Sequence, residues 1–362
     1  MNYKALLFLC ITVGIFSCKP KEKTAAVNYD NFLNEYIDST VSPGEDFFKF
    51  AMGKWLKNNP IPESERSWGI WTLVNEENYS RIRKINEEAA ANTKAKKGSN
   101  EQKIGDFWLT GMDTDTNEKQ GITPLKPELD KIAAISDPQG VIKMASYLHT
   151  MQVQPLFGNY IFQDEKNSNK FRLHFYQGGI GLPDRDYYFD KDERTVTIRN
   201  EYVKHISKMF QLTGIDAATA DTYAQTIMKM ETDFAGASRK LADLRDPYAN
   251  YNSMAVADVN KLCPAINWES FLADAGIKNI DTIIVGQPEF FKQLNTSLTK
   301  ESVDNWKIYL QWNLINAYAD RLSSDFDKEH FHFYGTILNG TKEQRARWKR
   351  VLDAEEDAMG FL

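Results

Sequence analysis

The sequence has no surplus of positive charge, few cysteines and no apolar run long enough to span a bilayer. Its 362 residues carry 44 Lys and Arg against 50 Asp and Glu. We therefore expect no nucleic-acid partner, because such proteins need basic residues to neutralise phosphates. Three cysteines exclude a scaffold built from disulfides. With 42% hydrophobic residues the chain is too apolar for disorder, and its length suits one large domain or about two ordinary ones.

The motifs of common catalytic sites are also missing. The sequence contains no HExxH, GxSxG, CxxC or glycine-rich phosphate loop, so no zinc helix, nucleophile elbow or redox pair is predicted. The five histidines are dispersed: His149, His174, His205, His330 and His332. His205 falls on an apolar helical stripe, which favours a hydrogen-bonded boundary residue.

The densest group of possible metal ligands is Glu329-His330-Phe331-His332. Two alternating histidines would share one face of a strand, but a structural zinc site needs four ligands and Cys263 is distant in sequence. A solvated polar edge is the simpler interpretation. The residues themselves therefore predict no catalytic residue and no metal ligand in this chain.

The N-terminus has the pattern of an export signal. Ala5 to Phe16 is a twelve-residue apolar run after a short basic start, a length typical of a signal peptide. The following Ser17-Cys18 resembles the bacterial lipobox, in which the cysteine becomes the lipidated first residue. We expect a signal peptide over 1–17, then lipidated Cys18 and a polar tether to residue 28. The alternative is an ordinary signal peptide in which Cys18 is incidental.

The remaining chain, 29–362, is predicted to be mainly α-helical with a small β-hairpin. Apolar residues recur at helical spacing behind capping residues, as after Asn100, Asp137 and Asp216. Two runs rich in β-formers, 154–163 and 170–177, flank the polar stretch 164–169, which indicates a hairpin.

Several short motifs recur in a fixed order along this region. They are PGEDFF (43–48), GKWL (53–56), SWG (67–69), IGDF (104–107), GMD (111–113), GLPDRDYY (181–188), LRDP (244–247), FYG (333–335) and RWK (347–349). Together they resemble the N-terminal region of the neprilysin and endothelin-converting-enzyme family of zinc metallopeptidases. The resemblance spans about residues 29 to 360.

The resemblance implies a function that the residues alone do not. Members are ectoenzymes that cut peptides before hydrophobic residues, with zinc held by an HExxH helix in a C-terminal thermolysin-like domain. That domain is not encoded in these residues, so zinc is expected in a full-length parent and none on this chain. The region present resembles a helical cap over the zinc cleft, with further helices that would pack on the missing catalytic domain, so that oligopeptides enter and folded proteins do not.

The resemblance implies a substrate-binding role for one residue, Trp71. On 67–72, the family's substrate-gripping Arg and Asp positions are occupied by Ser67 and Thr72, whereas Trp71 matches an aromatic that lines the pocket for a hydrophobic side chain. Because Ser67 and Thr72 replace the charged pair that would hold a substrate's terminal carboxylate, the resemblance favours an endopeptidase over a carboxy-dipeptidase. The alternative for Trp71 is a core aromatic.

The sequence thus predicts the substrate-gating region of a metalloendopeptidase, exported and anchored by lipid in the bacterial envelope. Its partners would be an oligopeptide substrate, the C-terminal catalytic domain and, through the anchor, the membrane. The competing hypothesis is a stand-alone, non-catalytic lipoprotein that binds peptides.

Overall fold

The computed structural model describes residues 32–360, so the predicted signal peptide, Cys18 and the tether lie outside the described residues. The described part divides between Pro62 and Glu63 into two compact units. The first unit contains α1 (Phe32–Tyr36) and α2 (Phe47–Asn58). Here Asp46 caps α2, since its carboxylate accepts the backbone N–H of Lys49 at 2.9 Å.

The second unit is mainly helical, as predicted. Its α-helices are α3 (Ile70–Ala91), α4 (Asn100–Met112), α5 (Thr114–Gln120), α6 (Lys126–Ala133), α7 (Pro138–Thr150), α8 (Asp186–Phe189), α9 (Glu193–Leu212), α10 (Ala217–Ala237), α11 (Val256–Leu262), α12 (Trp268–Asp274), α13 (Pro288–Lys300), α14 (Val303–Tyr318), α15 (Ser324–His330) and α16 (Arg347–Met359). A π-helical segment, Phe331–Leu338, continues directly from α15. None of the described helices is long and apolar enough to cross a membrane.

The predicted hairpin is confirmed and belongs to a larger sheet. Strands β1 (Gly158–Asp164) and β2 (Asn167–Tyr176) pair antiparallel, with Tyr160 opposite His174. Two short strands that the sequence did not reveal complete a four-stranded sheet of order β1-β2-β4-β3, namely β3 (Asn252–Ala255) and β4 (Thr282–Val285). The two additional strands have four residues each, too few for a clear alternation pattern.

The core of the second unit is rich in aromatic residues. Phe157 lies at its centre, with ring centroids 4.8 Å from Phe175, 5.4 Å from Trp268 and 5.5 Å from Phe291. These rings are fully or nearly fully buried and join the sheet to α12 and α13. Such tilted ring packing supplies much of the apolar burial that stabilises the fold.

A buried carboxylate binds the GLPDRDYY segment to the helices. Glu231 on α10 accepts four hydrogen bonds, from Gly181 N at 3.2 Å, Tyr188 Oη at 2.6 Å, Tyr202 Oη at 3.0 Å and Trp312 Nε1 at 3.3 Å. Burial raises the pKa of Glu231 to about 7, although these donors act in the opposite direction. The segment is therefore held by a polar network inside the core.

Candidate functional site

A cavity of about 490 Å³ lies between residues 64–67, the π-helical segment and the loop that follows it. Arg66 and Ser67 line one wall, and Tyr334 and Gly335 of the π-helical segment line another. Irregular helical turns of this type occur frequently at functional sites. The volume of this cavity falls in the range of small-molecule and peptide sites.

Backbone and side-chain contacts fix the wall formed by residues 64–67. The carbonyl of Glu63 accepts the N–H groups of Lys342 and Glu343 at 3.1 and 3.2 Å. Farther along, Arg66 donates from Nη1 to Asn339 Oδ1 at 2.5 Å. Since Arg66 and Ser67 both line the cavity, this loop contributes an arginine to its wall.

Two further arginines of this cavity are paired with carboxylates. Arg345 contacts Asp353 at 2.8 Å and Glu65 at 3.2 Å. Arg350 donates from Nη1 to Asp327 Oδ1 at 2.9 Å. The cavity therefore presents a polar surface on which Arg345 and Arg350 are neutralised by carboxylates.

Trp71 lies in the first turn of α3 and is 81% exposed. The turn is held by Thr72, whose Oγ1 accepts the backbone N–H of Gly69 at 3.2 Å. Trp71 is not part of the core formed by the described residues, and it does not line the cavity. Its indole is instead available to a ligand or to another polypeptide.

Trp71 belongs to a longer apolar face on the same helix. Ile70, Leu73, Val74, Ile82 and Ile85 of α3 are between 39% and 55% exposed. An apolar helix face normally packs against a protein core or a partner. A large exposed apolar surface therefore marks an interaction site.

The structure pairs His205 with Glu329, which sequence reasoning missed. His205 Nδ1 lies 2.9 Å from Glu329 Oε1, and the imidazole stacks on Phe333 at 4.9 Å. His205 is hydrogen-bonded, as predicted, but it is buried in the core and not at its boundary. Burial lowers its pKa, while the bond to Glu329 opposes that shift. Nothing local could reveal this pair, because its members are 124 residues apart.

The Glu329-to-His332 cluster is helical, so the strand geometry considered for it is wrong. Glu329 and His330 end α15, and His332 belongs to the π-helical segment. His332 shares a small cavity of about 130 Å³ with His205 and Glu329. Within residues 32–360, however, no three His, Cys, Asp or Glu side chains are placed to hold a metal ion. The described residues therefore do not fit a zinc site.

Comparison with known proteins places this architecture in context. Residues 43–362 match peptidase family M13. Neprilysin-3 of Drosophila melanogaster is 28% identical over 346 residues, which are 90% of this chain and 44% of that protein. Endothelin-converting enzyme 1 of Mus musculus is 28% identical over 349 residues, or 93% of this chain and 45% of that protein.

Solved structures agree with these matches. An inhibitor complex of the Mycobacterium tuberculosis zinc metalloprotease Zmp1 superposes with a TM-score of 0.86 at 29% identity, covering 91% of this chain and 50% of that one. PepO from Lactobacillus rhamnosis shares the fold, with a TM-score of 0.74 at 15% identity over 88% of this chain and 50% of that one. The chain thus spans about half the length of the relatives it matches.

Proposed function

The chain belongs to peptidase family M13, and on this basis we propose that it is the substrate-gating region of a zinc-dependent metalloendopeptidase. Its substrates would be oligopeptides, cleaved on the N-terminal side of hydrophobic residues. The observation that carries the proposal is the match of residues 43–362 to the family, over only about half of each relative. The zinc and the residues that activate water would lie in the other half.

The exposed apolar face of α3 supports a gating region that is separate from the catalytic half. Trp71 and Val74, 81% and 47% exposed, would be covered by a catalytic domain or contact its substrate. In this arrangement the cap excludes folded proteins, and Trp71 contacts the hydrophobic side chain of the peptide.

We further propose that the protein is exported and attached to the bacterial envelope through acylated Cys18. This rests on the sequence pattern around Cys18. Stable attachment needs more than one acyl chain, so mass spectrometry of the native N-terminal peptide should detect several.

The purified chain should hold far less than one zinc ion and cleave no peptide. A catalytic zinc requires three converging protein ligands with one open position, and the described residues supply no such group. Elemental analysis after mild chelator washing measures the zinc content. A quenched hydrophobic peptide, assayed with added zinc, measures the peptidase activity. Cleavage should rise only when the catalytic half is supplied.

A chain that retains one zinc after washing and cuts the peptide in a chelator-sensitive manner would contradict this assignment. The site would then be sought around Glu329 and His332. The coding sequence downstream separates the proposal from the stand-alone alternative. A continuation that encodes HExxH supports the peptidase, whereas unrelated sequence supports a peptide-binding lipoprotein.

In the complete peptidase, Trp71→Ala should raise KM about tenfold for peptides with a hydrophobic residue after the scissile bond, since a lost apolar contact costs about 1–3 kcal/mol. KM for peptides with glycine at that position should not change. The melting temperature of the isolated chain should stay constant, because Trp71 is 81% exposed there. Tyr248→Ala is the matched control, since Tyr248 is an aromatic that is 84% exposed. Equal effects of Trp71→Ala on both peptides would rule out the substrate contact.

A further inference from the structure

A second cavity, of about 510 Å³, lies where α4, α5 and α16 meet. Most of its wall is apolar, with Phe107, Pro124, Val351 and Ala354 among the lining residues. The guanidinium of Arg347 enters from the first turn of α16. This site combines two motifs that the gating role leaves unused, GMD at 111–113 and RWK at 347–349.

A glycine allows the two helices to approach each other here. A Cβ on Gly111 would lie 2.6 Å from Val351 Cγ1, so a side chain at this position would force α16 away from α4. The close approach lets Arg347 donate from Nε to the carbonyl of Gly111 at 2.8 Å. That carbonyl lies in the last turn of α4, where a cation is favourable. The bond fixes the side chain and leaves its two Nη groups for a ligand.

Arg347 differs from its neighbours in having no carboxylate partner. Arg345 pairs with Asp353 and Arg350 pairs with Asp327, whereas Arg347 forms no ion pair within residues 32–360. Partial burial lowers the pKa of Arg347, and the nearby charge of Arg350 adds to this effect. The carboxylates of Asp327 and Glu118 oppose it from beyond ion-pair distance. A partly desolvated, unpaired guanidinium is costly for the protein and favours an anion.

The acidic residues of the same cavity are already engaged. Asp113 caps α5 by accepting the N–H of Thr116 at 3.0 Å. Asp320 lies 3.8 Å from Arg321. Neither competes for Arg347 with an ion pair, so its charge remains unpaired.

We propose that this cavity binds a small carboxylate that carries an apolar group. The planar guanidinium of Arg347 would accept the carboxylate through paired hydrogen bonds, while the apolar group packs between Phe107 and Val351. A single unpaired cation suits a monoanion better than a phosphate dianion. This inference does not rest on the gating role, and it involves neither Trp71 nor the first cavity.

Two sources present this chemistry, the C-terminus of a short peptide and a medium-chain fatty acid. The probes are therefore N-acetyl-phenylalanyl-leucine and octanoate, each compared with its own amide. Calorimetric titration of the purified chain should show each bound acid at least about tenfold tighter than its amide, the difference expected for a charge-assisted contact. The acid that binds more tightly identifies the source.

Three variants test the assignment. Arg347→Gln should abolish the preference for acid over amide, and Arg194→Gln should preserve it, because Arg194 makes a comparable backbone contact to Leu338 at 3.3 Å outside this cavity. Ala354→Leu retains Arg347 but narrows the cavity, so it should weaken both acids at least about fivefold. Because Arg347→Gln also loses the bond to Gly111, thermal melts must show that each variant is folded.

The proposal is overturned if neither acid binds more tightly than its amide. It is equally overturned if a folded Arg347→Gln retains the preference, or if Ala354→Leu leaves both affinities unchanged.

Discussion

Replacing Gly181 with alanine should lower the free energy of unfolding by about 3 kcal/mol, because it crowds the buried network around Glu231. A Cβ on Gly181 would lie 1.9 Å from Tyr202 Oη and 3.4 Å from Glu231 Oε1. Neither can retreat easily, since Tyr202 is fully buried and Glu231 holds three further donors. Urea unfolding followed by tryptophan fluorescence measures the loss.

Gly236→Ala is the matched control for this experiment. Gly236 lies on α10 near the same network, but a Cβ there would meet only the Phe189 ring, at 3.8 Å. Alanine is the better helix former, so this variant should unfold at the same urea concentration as the wild type or gain up to about 0.5 kcal/mol. Equal midpoints for Gly181→Ala and Gly236→Ala would mean that the close approach does not determine stability.

Signals carried by a few adjacent residues predicted the helices well. Asp137 and Asp216 cap α7 and α10, as expected, by accepting the N–H groups of Gly140 at 2.8 Å and Thr219 at 3.1 Å. The predicted cap at Asn100 was wrong by one residue. Ser99 Oγ accepts the N–H of Gln102 at 3.3 Å, and Asn100 begins the helix. Adjacent residues that can both cap a helix make such a shift easy.

Contacts between distant residues could not be predicted in this way. Glu231 looks like one acidic residue on an amphipathic helix, yet its donors lie 29 to 81 positions away in the chain. The same holds for His205 and Glu329, and for Arg347 against Gly111, which are 236 residues apart. The order of helices along the chain does not show which of them pack together. Only the resemblance to a family therefore indicated that the GLPDRDYY segment has a specific structural role.

A large pH effect on stability between pH 4.5 and 7 should come from Glu231. Its pKa is raised by burial from 4.5 to about 7, so folding favours the protonated form. The resulting stabilisation is fully present below pH 4.5, the unfolded-state value, and is lost as the pH rises through about 7. A shift of this size corresponds to about 3 kcal/mol.

Glu231→Gln should remove this pH dependence. The amide oxygen can still accept from Gly181 and Tyr188, and its NH₂ group can donate to Tyr202, whose hydroxyl both donates and accepts. The variant should therefore fold. Glu231→Ala, by contrast, would leave Gly181 N, Tyr188 Oη and Tyr202 Oη without this acceptor, while Trp312 Nε1 keeps Tyr202 Oη at 3.2 Å. That change should cost about 4 kcal/mol or prevent folding.

Urea unfolding of the wild type and Glu231→Gln at several values between pH 4.5 and 7.5 measures the effect. The free energy of the wild type minus that of the variant should fall by about 3 kcal/mol over this interval. His149, whose pKa burial lowers to about 4, contributes the opposite slope, since its stabilisation is lost as the pH falls. That contribution is common to both proteins and cancels in the difference. Tyr188 and Tyr202, whose pKa values are raised well above 10, stay neutral throughout. A difference that does not vary with pH would show that Glu231 titrates alike in the folded and unfolded chains, and that its four donors balance its burial.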